Sequence, residues 1–299
     1  MKNLIIIFLA GLLSLNLQAE KLKPYVLGAV SKLSMVQSKA LVKENLEKVG
    51  LNVLGSYQPA NDPGRYVYAV SSKGLVSAVQ QYGGLRAFAA VLRVALTEKD
   101  GVINISYTNP YYWGNAYFQD DFPSVASYYN SISNKLVAAM KMSGQYKGTA
   151  FGSEKGVDLD DLRDYQYMFG MPEFDDVIVL GKFDSFEQAE NRVEANLKKG
   201  INGLKEVYSI RIPAKKLKLI GIAISGAKGE AHFVPIIDKS NLKNTAFLPY
   251  EILIDGNKVI MLHGRYRIAL SFPDLSMGTF SKIMSTPGDI EDQLSKLCQ

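Results

Sequence analysis

The chain has 299 residues, of which 47% are hydrophobic and 21% are charged, and its formal net charge is +5. This length fits two domains or one large one, and the hydrophobic share is sufficient for a sizeable core. The only cysteine, Cys298, excludes an intramolecular disulfide, so stability must come from packing. The positive charges are scattered and no nucleic-acid-binding motif occurs, so we expect no nucleic-acid partner.

Residues 1–19 have the three parts of a secretory signal peptide. Lys2 gives a positive start, residues 4–17 are mostly apolar, and the small Ala19 precedes charged residues. The apolar run is short for a membrane anchor, which needs roughly 20 residues. We therefore predict cleavage after Ala19, no integral membrane span in the mature protein and a periplasmic location. A retained N-terminal anchor is the alternative.

Two segments of the mature chain open in the same way. Residues 25–33 and 177–183 are predicted strands, and each is followed by apolar residues at helical spacing. Both predicted helices end at a glycine, Gly50 or Gly200, as helices commonly do. The two halves therefore begin with the same strand–helix unit.

Each half continues with a hairpin pattern. Asp-Gly lies between apolar strands at 100–101 and again at 255–256, and this pair favours a tight turn. Each hairpin leads into a further aromatic or apolar stretch, 111–118 or 266–272. One interpretation of the first is a loop and strand that packs between the halves, and residues 265–267 are predicted to lie on a strand. A closing helix is then predicted in each half, and in the second half it is broken at Pro287.

These patterns predict an α+β fold of two related βα(ββ)α units with mostly antiparallel sheets. We expect a signal peptide over 1–19, a first domain over 20–142, a linker over 143–176 and a second domain over 177–299. The linker is expected to contain one short helix, 159–168. The two units are predicted to be a tandem duplication packed about a pseudo-twofold axis.

Three short stretches resemble a known group of bacterial proteins. They are Asn109-Pro110 after the first hairpin, the Leu-Pro strand entry in 247–253, and the helix–glycine–strand pattern in 43–55. Together they resemble the domain-of-unknown-function 302 family, in which such an Asn-Pro and Leu-Pro strand entry recur. The resemblance covers most of the mature chain and implies a small α+β fold for each half. It carries over no catalytic residue.

The densest aromatic stretch, 109–118, is the first candidate ligand surface. Its candidate contacts are Asn109, Tyr111, Tyr112, Trp113 and Tyr117. Aromatic side chains form pocket walls for flat or amphipathic ligands, but such a segment also packs between two halves of a duplicated fold. Both interpretations stay open here.

Two arginines form the second candidate surface. Arg265 and Arg267 alternate along a predicted strand, so they would share one face and clamp an anionic ligand. The alternative is that they form ion pairs across the interface between the halves.

The two histidines suggest a metal or haem alternative. Met261 and His263 would share one face of a predicted strand, and His232 is the other histidine. Such a His/Met set suits copper(I) or an axial haem position. The alternative is that Met261 and His263 are ordinary core and edge residues, with no cofactor.

No nucleophile, zinc or dinucleotide motif occurs in the sequence. We therefore expect a non-catalytic exported protein that binds a small molecule or an envelope protein. The alternatives are a metal- or haem-binding accessory protein of envelope redox systems, and an enzyme with its site at the seam between the halves.

Overall fold

A computed structural model of the chain describes residues 21–299, so the predicted signal peptide lies outside the described residues. The first half contains β1 (Tyr25–Ser31), α1 (Met35–Lys48), β2 (Asn52–Tyr57), β3 (Arg65–Ser71), α2 (Lys73–Tyr82), β4 (Leu92–Lys99), β5 (Val102–Thr108), α3 (Pro110–Phe118), α4 (Phe122–Ser143) and β6 (Gln145–Phe151). A short helix, α5 (Leu159–Arg163), leads to the second half.

The second half contains β7 (Ile178–Lys182), α6 (Phe186–Lys198), β8 (Leu204–Ile212), β9 (Leu217–Ile224), α7 (Glu230–Ile237), β10 (Tyr250–Asp255), β11 (Lys258–Met261), α8 (Gly264–Ser271), α9 (Met277–Phe280) and α10 (Thr286–Ser295). Short 3-10 helices lie between them, and two of these, Gly84–Ala90 and Thr245–Phe247, pack at the interface between the halves.

The two sheets have the same internal order. The first runs β2-β3-β4-β5-β1-β6 and the second runs β7-β11-β10-β9-β8, with every neighbouring pair antiparallel. Written from its other edge, the second sheet runs β8-β9-β10-β11-β7, which matches β2-β3-β4-β5-β1 of the first sheet strand by strand. The strand β6 has no counterpart in the second sheet. The α+β fold with antiparallel sheets is therefore confirmed, whereas an origin by duplication stays a prediction.

Helix ends follow the signals in the sequence. Ser34 accepts a hydrogen bond from the Gln37 backbone N–H at the start of α1, and Ser185 caps α6 in the same way. Gly50 and Gly200 follow these helices with φ of 76° and 65°, which glycine adopts without steric cost. The two predicted helices therefore end at the predicted glycines.

The stretches after the two hairpins are helices, so the loop-and-strand interpretation of 109–118 and the prediction of a strand at 265–267 are wrong. The Asn109 side chain accepts from the Tyr111 N–H at 3.2 Å, and His263 accepts from the Arg265 N–H at 3.1 Å. Each side chain satisfies a backbone donor that the first turn of a helix leaves unpaired. Pro110 is compatible with the first turn of α3 because no hydrogen bond is needed from that nitrogen.

Two further boundaries differ from the prediction. The segment expected to be a linker contains β6, which pairs with β1 and extends the first sheet. The short helix predicted over 159–168 in that segment ends earlier, at Arg163. Pro287 does not break a helix but lies in the first turn of α10, where proline is tolerated. A polar, glycine-rich composition did not indicate β6 because an exposed edge strand needs few apolar residues.

The halves pack together reciprocally. The 3-10 helix Gly84–Ala90 contacts β9 and β10, while Thr245–Phe247 contacts β3, β4 and β5. The edge strands β2 and β8 also lie side by side. A Cβ at Gly55 would lie 1.8 Å from the Val207 carbonyl oxygen, so only glycine permits this approach.

A buried ionic network crosses the interface. Arg93 on β4 pairs with Glu251 on β10, and both side chains are almost completely enclosed. Glu251 also accepts from the Tyr208 hydroxyl. Burial raises the pKa of Tyr208 well above its usual range, and the negative charge of Glu251 raises it further. Arg267 donates to the carbonyl oxygens of Phe247 and Pro249 at 2.7 and 2.6 Å.

A second polar cluster lies beside the first. Arg65 on β3 pairs with Asp238, which follows α7, and donates to Thr245 Oγ1 at 2.8 Å. The Thr97 hydroxyl on β4 also contacts Thr245 Oγ1, at 3.2 Å. These interactions join β3 and β4 of the first half to the segment 238–245 of the second.

Glu230, at the start of α7, is a third buried polar contact between the halves. Its carboxylate accepts from the Tyr57 hydroxyl and the Ala60 N–H, both at 3.0 Å, and from the Ile224 N–H at 3.3 Å. Burial raises the pKa of Glu230 from 4.5 to about 7, although these three donors oppose the shift. The protonation state of this interface contact therefore changes near neutral pH.

Replacing Glu251 by glutamine should destabilise the protein strongly. The change keeps the side-chain shape but leaves Arg93 buried without a carboxylate, so we expect the free energy of unfolding to fall by about 3–5 kcal/mol in urea denaturation. Glu98 is an exposed residue near the end of β4, and Glu98→Gln should change stability by no more than about 0.5 kcal/mol. Equal effects of the two substitutions would contradict a structural role for the buried pair.

Glu230 should make stability depend on pH in a defined direction. Because its pKa is higher in the folded state, it favours folding below pH 4.5, and this contribution is lost as pH rises towards about 7. Relative to Glu230→Gln, which does not titrate, the wild type should lose up to about 3 kcal/mol of stability over this range. Urea denaturation at several pH values measures the difference, and a flat or rising difference would show that burial does not control this carboxyl group.

Candidate functional site

A cleft of about 570 Å³ lies at the seam between the halves. We call it the seam cleft, and it opens where the end of β6 meets α7 and the segments that follow α7 and α8. It is lined by Lys23, Ala150, Phe151, Gly152, Ser153, Glu154, Ile236, Ile237, Lys239, Ser240, Leu242, Asn244, Phe272, Asp274, Leu275, Ser276 and Thr279. Small-molecule pockets typically measure about 300–1,000 Å³, so this volume suits a small ligand.

The floor of the seam cleft is apolar. Phe151, Ile237 and Phe272 are buried, and Phe272 packs edge-on against Phe247 with ring centroids 4.9 Å apart. Leu242 is partly buried beside them. A ligand with an apolar face would therefore meet side chains that are already packed against the core.

Hydrogen bonds across the seam hold one wall of the cleft. Asp274, after α8, accepts from the Ser153 hydroxyl at 3.1 Å and from the backbone N–H of Glu154. Lys23 donates from Nζ to the Glu154 carbonyl oxygen at 3.0 Å. The loop after β6 is thus fixed to the second half, and the Asp274 carboxylate is already occupied by protein donors.

Asn244 is the most enclosed polar residue of the cleft, with 4% of its surface exposed. Its backbone N–H donates to Asp238 Oδ1 at 2.8 Å, and its Nδ2 donates to the Ser271 carbonyl oxygen at 3.2 Å. Its Oδ1 is buried and has no hydrogen-bond partner among the described residues. This oxygen is enclosed by protein atoms, so it is an unsatisfied acceptor beneath the wall of the cleft and does not face its open volume.

The predicted aromatic surface is a core helix. Tyr112, Trp113 and Tyr117 are buried, and the Tyr112 hydroxyl donates to the Leu270 carbonyl oxygen of the other half at 2.8 Å. Tyr112 therefore lies at the interface between the halves, whereas Trp113 donates from Nε1 to the Pro24 carbonyl oxygen of its own half at 2.9 Å. Asn109 and Tyr111 line a separate cleft of about 280 Å³ beside β6.

The two candidate arginines do not share a face. They lie on α8 rather than on a strand, with Arg265 exposed and Arg267 buried. Arg267 stacks over the Tyr250 ring at 4.2 Å and belongs to the network around Glu251. A clamp by these two side chains on one anionic ligand is therefore wrong, because helical geometry separates residues two apart.

The His/Met set is not assembled as predicted. Met261 ends β11 and is buried, His263 caps α8 instead of continuing the strand, and His232 is exposed on α7. Burial lowers the pKa of His263, and the positive charge of the nearby Arg265 lowers it further. Within residues 21–299, no group of three or more His, Cys, Asp or Glu side chains is placed to hold a metal ion.

No sequence pattern indicates the residues that line the cleft. Asn244, Ser240 and Lys239 lie in a short polar run after α7 that matches no motif, and Asp274 follows a proline in an ordinary loop. Only the apolar Leu242 within that run hints at a partly covered segment. These residues come together through packing of the two halves rather than through sequence spacing.

Comparison with known proteins adds no identity, since no family model and no curated protein matches the chain. The resemblance to the domain-of-unknown-function 302 family therefore stays a prediction. Over residues 21–299, no helix combines the length and the apolar composition that crossing a membrane requires.

Proposed function

We propose that this protein is an exported, non-catalytic binding protein that holds a small ligand in the seam cleft. The observation that carries the proposal is a cleft of about 570 Å³ between the halves, whose lining combines apolar side chains with hydroxyl and amide groups. An apolar floor with a few fixed polar groups is the usual composition of a small-molecule site. Both halves contribute to the cleft, which gives a reason for their close packing.

The lining of the cleft favours binding over catalysis. It includes no histidine and no cysteine. Its two carboxylates are Glu154, which is exposed, and Asp274, which already accepts two hydrogen bonds. The Ser153 hydroxyl does reach the Asp274 carboxylate, at 3.1 Å, but Ser153 Oγ also accepts from the Gly156 N–H and Asp274 from the Glu154 N–H. We therefore interpret this contact as one that holds the loop after β6 and not as a catalytic pair.

The envelope-partner alternative has a surface of its own. Phe169 is fully exposed, and Met168, Met277 and Met284 are about half exposed. Met277 and Met171 line one apolar pocket with Tyr167 and Phe280. Exposed apolar side chains of this kind favour a protein contact near α9, separate from the polar part of the seam cleft.

Protein isolated from its own envelope should carry a small bound compound in native mass spectrometry. Ser240→Trp places a large ring in the cleft and should abolish the added mass, whereas Ser127→Trp on the exposed face of α4 should not. After removal of bound compounds, both variants should unfold at the same temperature as the ligand-free wild type, so that loss of binding is not loss of folding. An added mass equal to a protein would instead support the partner alternative, and an unliganded wild type would contradict the proposal.

The export part of the proposal predicts a shortened chain outside the cytoplasm. Intact-mass measurement of the protein from a periplasmic fraction should give a chain that begins at Glu20, since Ala19 precedes the predicted cleavage site. Deleting residues 2–19 should leave the protein in the cytoplasm. An intact N terminus found in the membrane fraction would favour the retained anchor instead.

A further inference from the structure

We infer that the outer edge of β7 docks a second copy of this chain, so that two β7 strands pair antiparallel about a twofold axis near Val179. Among residues 21–299, β7 pairs only with β11, and its other edge is open. The unpaired N–H and C=O groups of such an edge can accept a further strand. No residue of β7 lines the seam cleft, so pairing at this edge is separate from the proposed ligand binding.

The first half shows how this edge of the fold can be completed. There the matching strand, β1, pairs with β5 on one side and with β6 on the other, both antiparallel. β1 has a register irregularity between Leu27 and Ala29, and β7 has one at the matching place, between Val179 and Gly181. This irregularity does not prevent β1 from pairing on both sides, so it does not protect the edge of β7.

The open edge of β7 is apolar. Val179 has 45% of its surface exposed, and Ile178 and Leu180 are partly exposed. The segment around Cys298 covers a face of the strand and not its edge, because a Cβ on Gly181 would point out of the sheet and lie 2.7 Å from the Cys298 Cβ. A second strand would therefore cover apolar side chains that water now contacts.

The outer edge of the first sheet, on β6, is protected by comparison. Gly148 has a φ of 65°, which interrupts regular strand geometry, and the residues of β6 from 145 to 150 are exposed and mostly polar. Lys141 also lies beside this strand, with Nζ 5.5 Å from the centre of the Tyr146 ring. Charged and irregular edges disfavour pairing, so β7 suits a partner strand better than β6 does.

The charges at the two ends of β7 favour a second copy as the partner. Asp175 and Asp176 precede the strand and are exposed. The strand ends at the exposed Lys182, opposite the exposed Lys258 of β11, and Asp184 offsets only one of these two positive charges. Antiparallel pairing of two copies brings the acidic start of each strand next to the basic end of the other. Opposite charges on paired strands stabilise them, and parallel pairing would instead bring like charges together.

Sedimentation equilibrium of the mature protein tests this pairing. The average mass should rise towards that of a dimer over an about hundredfold range of concentration, since an edge of 5 residues forms a small and reversible interface. Val179→Lys puts like charges at the axis and should leave only monomer, whereas Thr149→Lys on β6 should dimerise like the wild type. A monomer at every concentration, or equal effects of the two substitutions, would overturn pairing through β7.

A charge reversal tests the antiparallel arrangement and replaces Val179→Lys if that variant does not fold. Lys182→Glu should weaken dimerisation by about tenfold, because the reversed end of each strand then meets the acidic start of its partner. Adding Asp176→Lys should restore the affinity of the wild type, which a local effect at either residue would not do, and a further loss in the double variant would contradict the arrangement. If native mass spectrometry finds a different protein in place of the second copy, and Val179→Lys releases it, β7 takes a foreign strand and the second copy is overturned.

Discussion

Arg93 and Glu251 come from different halves of the chain and pair where neither side chain reaches water. Removing two charges from water is expensive, and their attraction offsets that cost only while both partners stay in place. Separating the halves would expose the pair to water but would also open the apolar surfaces around it. The buried pair therefore makes the relative position of the two halves specific, and every feature at the seam depends on that position.

The seam cleft shows this dependence most directly. Arg65 of the first half pairs with Asp238 through Oδ2, and the other carboxylate oxygen of Asp238 accepts from the Asn244 N–H. The residue with the unsatisfied acceptor is thus fixed by an ion pair that crosses the interface. On the opposite wall, Asp274 of the second half holds the loop after β6. Neither half alone would form this cleft.

The likeness between the halves extends beyond the order of their elements. Both edge strands that meet at the seam contain an irregularity in register, at Val53–Gly55 in β2 and at Glu206–Tyr208 in β8. The 3-10 helices that pack on the opposite sheets also occupy corresponding places in the chain order. A duplication gives a simple account of such matched features, because a symmetric dimer interface uses the same surface twice. The cleft breaks the symmetry, since β6 has no counterpart in the second sheet.

The sequence by itself determined the local structure. Asp100-Gly101 and the glycines after α1 and α6 set turns and helix ends through backbone conformations that few residues adopt, so these elements are where they were predicted. Asn109-Pro110 carried a helix-start signal of the same local kind, but the aromatic residues after it favoured the interpretation as strand. Local signals are readable because they act between neighbours in the chain.

Only the tertiary structure decided which polar residues are functional candidates. Arg267 and the aromatic residues of α3 looked like a ligand surface, yet the other half covers them. Asn244 and Asp274 match no sequence motif. Packing nevertheless buries the Asn244 side-chain oxygen without a hydrogen-bond partner, and it places Asp274 where its carboxylate binds the loop after β6. The burial and the hydrogen bonds of these side chains depend on residues more than a hundred positions away in the chain. The spacing of residues in the sequence does not indicate such contacts.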